Sequence, residues 1–137
     1  MAVRARLSLD ELDDVRIIDF SYSFNRDTDR SGRVSGIVVG GTIQMTIESN
    51  NSVFLPVWMV AEQGKVKNGE IKIMDDVDDT KPIKTIAFEN AYIVEYGENF
   101  SWQGGENMME TFVISAQKIT IEGGGSVAEY ENEWPGA

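Results

Sequence analysis

The sequence predicts a mainly β fold: an antiparallel barrel or sandwich with one short α-helix packed against it. Alternation of apolar and polar residues recurs along the chain, the pattern of half-buried strands. One segment, 53–63, is apolar without alternation, and the stretches between are rich in Asp, Ser, Asn and Gly. At 137 residues the chain has the length of one domain and can bury roughly two thirds of its unfolded surface.

The strands follow in order. Val3, Ala5, Leu7 and Leu9 share one face of the first, with Arg4, Arg6 and Ser8 on the other. Ile18, Phe20, Tyr22 and Phe24 form the apolar face of the second. The third turns Ile43, Met45 and Ile47 inward and Thr42, Gln44, Thr46 and Glu48 outward. Gly40-Gly41 at its start marks a bulge or bend. A short strand surrounds Ile71 and Ile73, and the longest carries Ile86, Phe88, Tyr92, Val94 and Tyr96 on one face. The last has Phe112, Ile114 and Ala116, then changes phase to Ile119 and Ile121, which predicts a bulge near Gln117-Lys118.

Val53 to Gln63 reads as the helix. Asn51 or Ser52 can cap its start, Pro56 falls in its first turn, and Gly64 suits its end. Lys65 and Lys67 oppose its C-terminal dipole. Its apolar character runs nearly all round, so Trp58 and Met59 are expected to be buried, with burial on more than one side. The segments 26–36, 75–82 and 99–107 read as polar loops. The barrel is expected to occupy residues 1–121 and an acidic C-terminal tail residues 122–137. Gly123-Gly124-Gly125 makes the root of that tail flexible, and Tyr130 and Trp134 are expected to dock it.

Composition narrows the function. With no cysteine there is no disulfide or thiolate chemistry, and with no histidine the commonest general base and metal ligand are missing. No catalytic role, metal or cofactor is expected. The net charge of −11 repels phosphate backbones, which argues against nucleic acid and anionic membranes as partners. Basic residues crowd the start (Arg4, Arg6, Arg16), whereas Glu122, Glu129, Glu131 and Glu133 close the chain. No apolar signal core follows Met1 and no run reaches membrane-spanning length, so synthesis is expected in the cytoplasm.

The candidate chemistry is thin. Asp27-Thr28-Asp29-Arg30-Ser31-Gly32 mimics the first half of an EF-hand loop, but Val38 stands where a bidentate Glu is required. Adjacent carboxylates in Asp75-Asp76-Val77-Asp78-Asp79 point apart on a turn and read as a solvated face. No spacing singles out a glycosidase pair, and Tyr92, Tyr96 and Trp102 at strand spacing read as core or interface. Long strands with Thr and Gln outer faces suit pairing between subunits. From the residues alone, an acidic self-associating β domain and a barrel holding a small ligand both stay open.

The order of residues adds to this. Ser21-Tyr22-Ser23-Phe24-Asn25, Asp29, Gly32-Arg33 and Gly40-Gly41-Thr42-Ile43 resemble the start of the Hcp (TssD) tube proteins of Bacteroidetes type VI secretion systems. The resemblance continues through Trp58-Met59, Asn68-Gly69, Ala91-Tyr92, Glu98-Asn99-Phe100 and Ile114-Ser115-Ala116 to Glu131-Asn132-Glu133-Trp134-Pro135. It implies a barrel with one helix, homohexameric rings stacked into a tube inside a contractile sheath, and a spike and baseplate at the tip. Secreted effectors ride in the lumen, and the tube leaves the cell without a signal peptide. On this reading Arg26, Asp27, Asp29, Arg30, Gly32 and Arg33 form a ring-stacking loop. Thr42, Gln44, Thr46 and Glu48 line the lumen, and Glu131, Glu133 and Trp134 make a tail contact. Phage tail tubes and extracellular contractile injection tubes share the fold. The acidic stretch Leu9–Asp14 and the glycine run 123–125 depart from the family pattern.

Overall fold

The computed structural model describes residues 3–10, 12–49, 52–75, 81–102 and 108–132. They form β1 (Val3–Leu9), β2 (Leu12–Tyr22), β3 (Thr42–Glu48), α1 (Phe54–Val60), β4 (Lys67–Asp75), β5 (Pro82–Phe100), β6 (Met108–Gly123) and β7 (Ser126–Glu131). The strands are hydrogen-bonded in the order β3-β2-β1-β4-β5-β6-β7, and β3 also pairs with β6, which closes an antiparallel barrel. Leu7, Ile43, Met45, Ile47, Ile71, Phe112 and Ile114 fill its interior with no exposed surface. Burying each such side chain contributes roughly 1.5–3 kcal/mol. The barrel is therefore a packed core, and this removes the small-ligand reading.

Three long strands each serve two sheets. A narrow sheet joins 17–22 of β2, β3, 109–115 of β6 and the second half of β5. A broad sheet joins 12–17 of β2, β1, β4, the first half of β5, 118–123 of β6, and β7. Where strands pass from one sheet to the other, their faces change phase. In β2 the register shifts between Ile17 and Asp19, so Ile17 is buried, and Ile18 does not share the core face with Phe20 and Tyr22 as the alternation predicted. In β5 the change falls at Asn90, whose φ is 53°. Ala91 and Ile93 then face the core, and Tyr92 and Val94 face out, which reverses the predicted faces of that stretch. A second shift between Ile93 and Glu95 returns Tyr96 to the core side. β6 follows its partner: Ala116 and Ile119 are both buried, as the predicted phase change requires.

Two further expectations change. The helix buries Phe54, Leu55 and Trp58, but Val53, Val57 and Val60 are exposed and Met59 is half-buried. Trp58 donates Nε1–H to the Lys65 carbonyl at 2.9 Å, which pins the helix end over the barrel. Lys67 reaches Glu62 at 3.2 Å and Asp10 at 3.4 Å, and its Nζ lies 5.0 Å from the centre of the Phe54 ring. In place of a flexible tail root, Gly124 and Gly125 have φ of 59° and 81° and turn β6 into β7. Two successive positive φ values are the backbone of a type I′ hairpin turn, which glycine adopts without strain. Residues 126–131 are thus a seventh strand.

Candidate functional site

The outer face of the narrow sheet is built in cross-strand rows. Ser21, Gln44, Val113 and Glu95 form one row, and Asp19, Thr46, Thr111 and Gly97 the next. Thr42, Ser115 and Tyr92 lie on one side of these, and Glu48, Met109 and Asn99 on the other. Alternation places all of them opposite the core residues Ile43, Met45, Ile47, Phe112 and Ile114. Of the predicted lumen residues, Thr42, Gln44 and Glu48 are exposed. Thr46 lies on the same face but is only 9% accessible, its hydroxyl 3.3 Å from that of Thr111. It belongs to the wall and not to the presented surface. Ser21, Ser23, Asn25, Thr42 and Gln44 also line an open concavity of about 620 Å³ at one end of this face.

Among the described residues both flanks of the narrow sheet are open. β1 pairs with β2 only as far as Ile17, and β4 pairs with β5 only as far as Ala91. Among the described residues no strand covers 18–22 of β2 on the β1 side, or 93–100 of β5 on the β4 side. Val94 and Phe100 are exposed along the second flank, and Trp102 lies just beyond it. These edges offer unpaired backbone donors and acceptors of the kind that recruit another strand.

The segment 26–36 is a loop, as predicted, and forms an arm whose two legs are tied by isolated bridges. Asn25 and Val39 exchange backbone hydrogen bonds at 3.0 and 2.8 Å, and Thr28 bridges to Val34. At the tip Asp29 Oδ1 accepts from the Ser31 N–H (2.9 Å), the Ser31 hydroxyl (2.7 Å) and the Arg33 N–H (3.0 Å). The Ser31 bond and the backbone bonds lower the Asp29 pKa. Gly32 has φ of 87°, and Arg26 Nε donates to the Gly36 carbonyl at 3.2 Å. Asp27, Arg30 and Arg33 are exposed, and so are Val34, Ile37, Val38 and Val39, with Ile37 81% accessible. The polar composition of the stretch drew attention from this apolar strip, although four branched apolar residues in six positions were there to be read.

A polar lock ties the arm base to β7. Tyr130 Oη accepts from the Gly40 N–H at 3.0 Å and donates to Asn132 Oδ1 at 2.7 Å. The Asn132 amide reaches the carbonyls of Gly40 and Ala116 at 3.3 and 3.1 Å. Gly41 fits beneath it with φ of 102°, and a Cβ there would lie 2.8 Å from the Ala116 oxygen. Of the predicted tail contacts, Glu131 is exposed on β7, and Glu133 and Trp134 lie outside the described residues.

Among the described residues one carboxylate is buried. Glu110, 3% accessible, accepts from the Tyr96 hydroxyl at 2.7 Å, while Ser49 donates to Glu98 at 2.6 Å. Burial raises the pKa of Glu110 and that of Tyr96. Among the described residues there is no group of three or more His, Cys, Asp or Glu able to hold a metal ion. Among the described residues no helix is long and apolar enough to cross a membrane.

The comparisons agree with this architecture. The family model described as hemolysin coregulated protein Hcp (TssD) matches residues 1–135. Hcp1 from Flavobacterium johnsoniae superposes with a TM-score of 0.84 at 33% identity, over 94% of this chain and 99% of that one. Hcp1 from Salmonella typhimurium gives 0.75 at 16% identity over 96% and 95% of the two chains, a likeness of fold alone. A chain of the anti-feeding prophage baseplate gives 0.54 at 14% identity over 88% and 92%, again a likeness of fold. No curated protein sequence matches. The chain belongs to the Hcp (TssD) family and is a structural tube subunit of type VI secretion.

Proposed function

We propose that six copies close into a ring, with the outer face of the narrow sheet turned to the bore, and that rings stack through the arm. The observation that carries this reading is the pair of open edges, 18–22 and 93–100, on opposite flanks of one sheet. A contact between two different surfaces of the same chain is heterologous, and it makes a ring when the rotation closes. Light scattering in near-physiological salt should give a mass about six times the 15.3 kDa chain. A clean monomer at high concentration overturns the ring.

The arm then points toward the neighbouring ring, with Asp27, Arg30, Arg33 and the exposed strip around Ile37 as its contact. Reversing the charges of Asp27, Arg30 and Arg33 while keeping the turn-forming Asp29 should leave rings intact and abolish tubes. Tubes of normal length from that variant would remove the arm from stacking. Gln44, exposed at the middle of its row, is a better probe of the bore than the buried Thr46. A contractile sheath outside, a spike and baseplate at the tip, and effectors inside complete the machine. The subunit is made in the cytoplasm, leaves through the machine and performs no catalytic step.

A further inference from the structure

The two outer faces of the molecule differ in their cations: the broad sheet mixes charges of both signs, and the narrow sheet carries acids alone. On the outer face of the narrow sheet the charged residues are Asp19, Glu48 and Glu95, all exposed. None of the 12 Lys and Arg residues falls on it. Arg4, Arg6, Arg16, Lys67, Lys72, Lys84 and Lys118 belong to the broad sheet, and the other five, Arg26, Arg30, Arg33, Lys65 and Lys81, to the arm, the end of α1 and the approach to β5. Arg16 reaches across the boundary to Glu48 at 3.6 Å, and Asp19 and Glu95 stand in separate rows with hydroxyl and amide side chains between them. No Lys or Arg is therefore rooted on the face; Arg16 meets Glu48 at its rim, and Asp19 and Glu95 leave it negative along both flanks.

From this segregation we infer that the narrow face receives a basic polypeptide: a small cationic protein or a Lys/Arg-rich segment of one. Hydroxyls and amides supply hydrogen bonds without sequence demands, and the distributed acids select the sign of charge. The inference rests on the ring reading for its biological setting, because closure places three acids from each copy around one bore. Six copies bring eighteen acids to it. Charges of one sign lining a concave wall focus the field and concentrate counter-charged solutes. Single exposed ion pairs are weak, so selection comes from their number and falls as salt rises. A polyanion of equal size is excluded.

The test compares two neutralised variants of equal net charge. One carries Asp19→Asn, Glu48→Gln and Glu95→Gln on the narrow face. The other carries Glu122→Gln, Glu129→Gln and Glu131→Gln on the outer face of the broad sheet, where pairing with Val127, Thr120 and Lys118 places them. Fluorescent decalysine is titrated against each and against the unaltered protein, with decaglutamate as control. The narrow-face variant should bind decalysine about tenfold more weakly at low salt, and the broad-face variant within about threefold of the parent. Equal weakening of the two variants, or binding of decaglutamate by the parent, overturns the inference. Scattering on the same samples tests the ring separately: a monomeric parent sinks the ring alone, because the face and its charge asymmetry exist in the single chain.

Discussion

The two halves of β5 share one continuous backbone but live differently. Before Asn90 the strand has a neighbour on each side, β4 and β6, and buries Ile86 and Phe88. After Asn90 it keeps β6 and ends in an open edge with exposed Val94 and Phe100. The first half is committed to the fold of the single chain, and the second, on the ring reading proposed above, is left for a neighbouring copy. The hinge between these roles is one residue in the left-handed region. Asn90 N–H donates to Asn68 Oδ1 at 2.8 Å and its amide donates to Gln117 at 2.8 Å, which holds that conformation.

Substitutions should separate the halves. Phe88→Ala empties the closed half of a fully buried ring and should cost about 3–5 kcal/mol, read by denaturant unfolding. Asn90→Ala removes the side-chain bond to Gln117 and leaves at φ 53° a residue that tolerates it less well than Asn, which should cost about 1–2 kcal/mol, with Asn90→Gly recovering part of it. An Asn90→Ala variant as stable as the parent would deny the hinge. Asn132→Ala strips the amide from the Gly40 and Ala116 carbonyls, and a loss of roughly 1–2 kcal/mol is expected in the same assay.

Acid titration gives a sharper contrast at the far end. The folded pKa of Glu110 is raised, chiefly by burial, so its ionisation opposes folding. That penalty is complete above the folded pKa and disappears as pH falls through it toward the ordinary value of 4.5. Glu110→Gln keeps an acceptor for Tyr96 and should melt higher than the parent near neutral pH, with the gap closing at about pH 4. A constant gap would assign the effect to packing. The smallest effect belongs to the open half. Val94→Thr should change monomer stability by less than about 0.5 kcal/mol while lowering the ring fraction by light scattering.

The same contrast explains what could be read from the sequence. β3 follows simple alternation because it belongs to one sheet only, and Ile43, Met45 and Ile47 are buried as predicted. β5 and β2 cross between sheets, and a phase change at a crossing is invisible to alternation within one strand. The predicted change in β6 carried the missing information. Phe88 pairs with Ile119 and Ala91 with Ala116, so the partner had to turn over too, and Asn90 was the residue type suited to it. The helix misled differently. Apolar residues all round imply covering on all sides, but a single chain covers only the Phe54, Leu55 and Trp58 face. Gly124-Gly125 read as slack because turn chemistry and linker chemistry use the same residue. The narrow-sheet face was legible from Thr42 and Gln44, whereas its open edges follow from where β1 and β4 stop, which no local pattern encodes.

Barrel closure also governs when the chain can fold. β3 finds its second neighbour only in β6, where Thr42 meets Ser115 and Glu48 meets Met109. β1 likewise waits for β4, with Val3 against Asp75. A nascent chain that has released its first three strands therefore holds unsatisfied edges until nearly the whole polypeptide has left the ribosome. Contacts so distant in sequence slow the search and lengthen the life of aggregation-prone forms. Expression at high rate should thus load the cell with half-made sheets before any ring exists, and slower synthesis at lower temperature should raise the soluble yield.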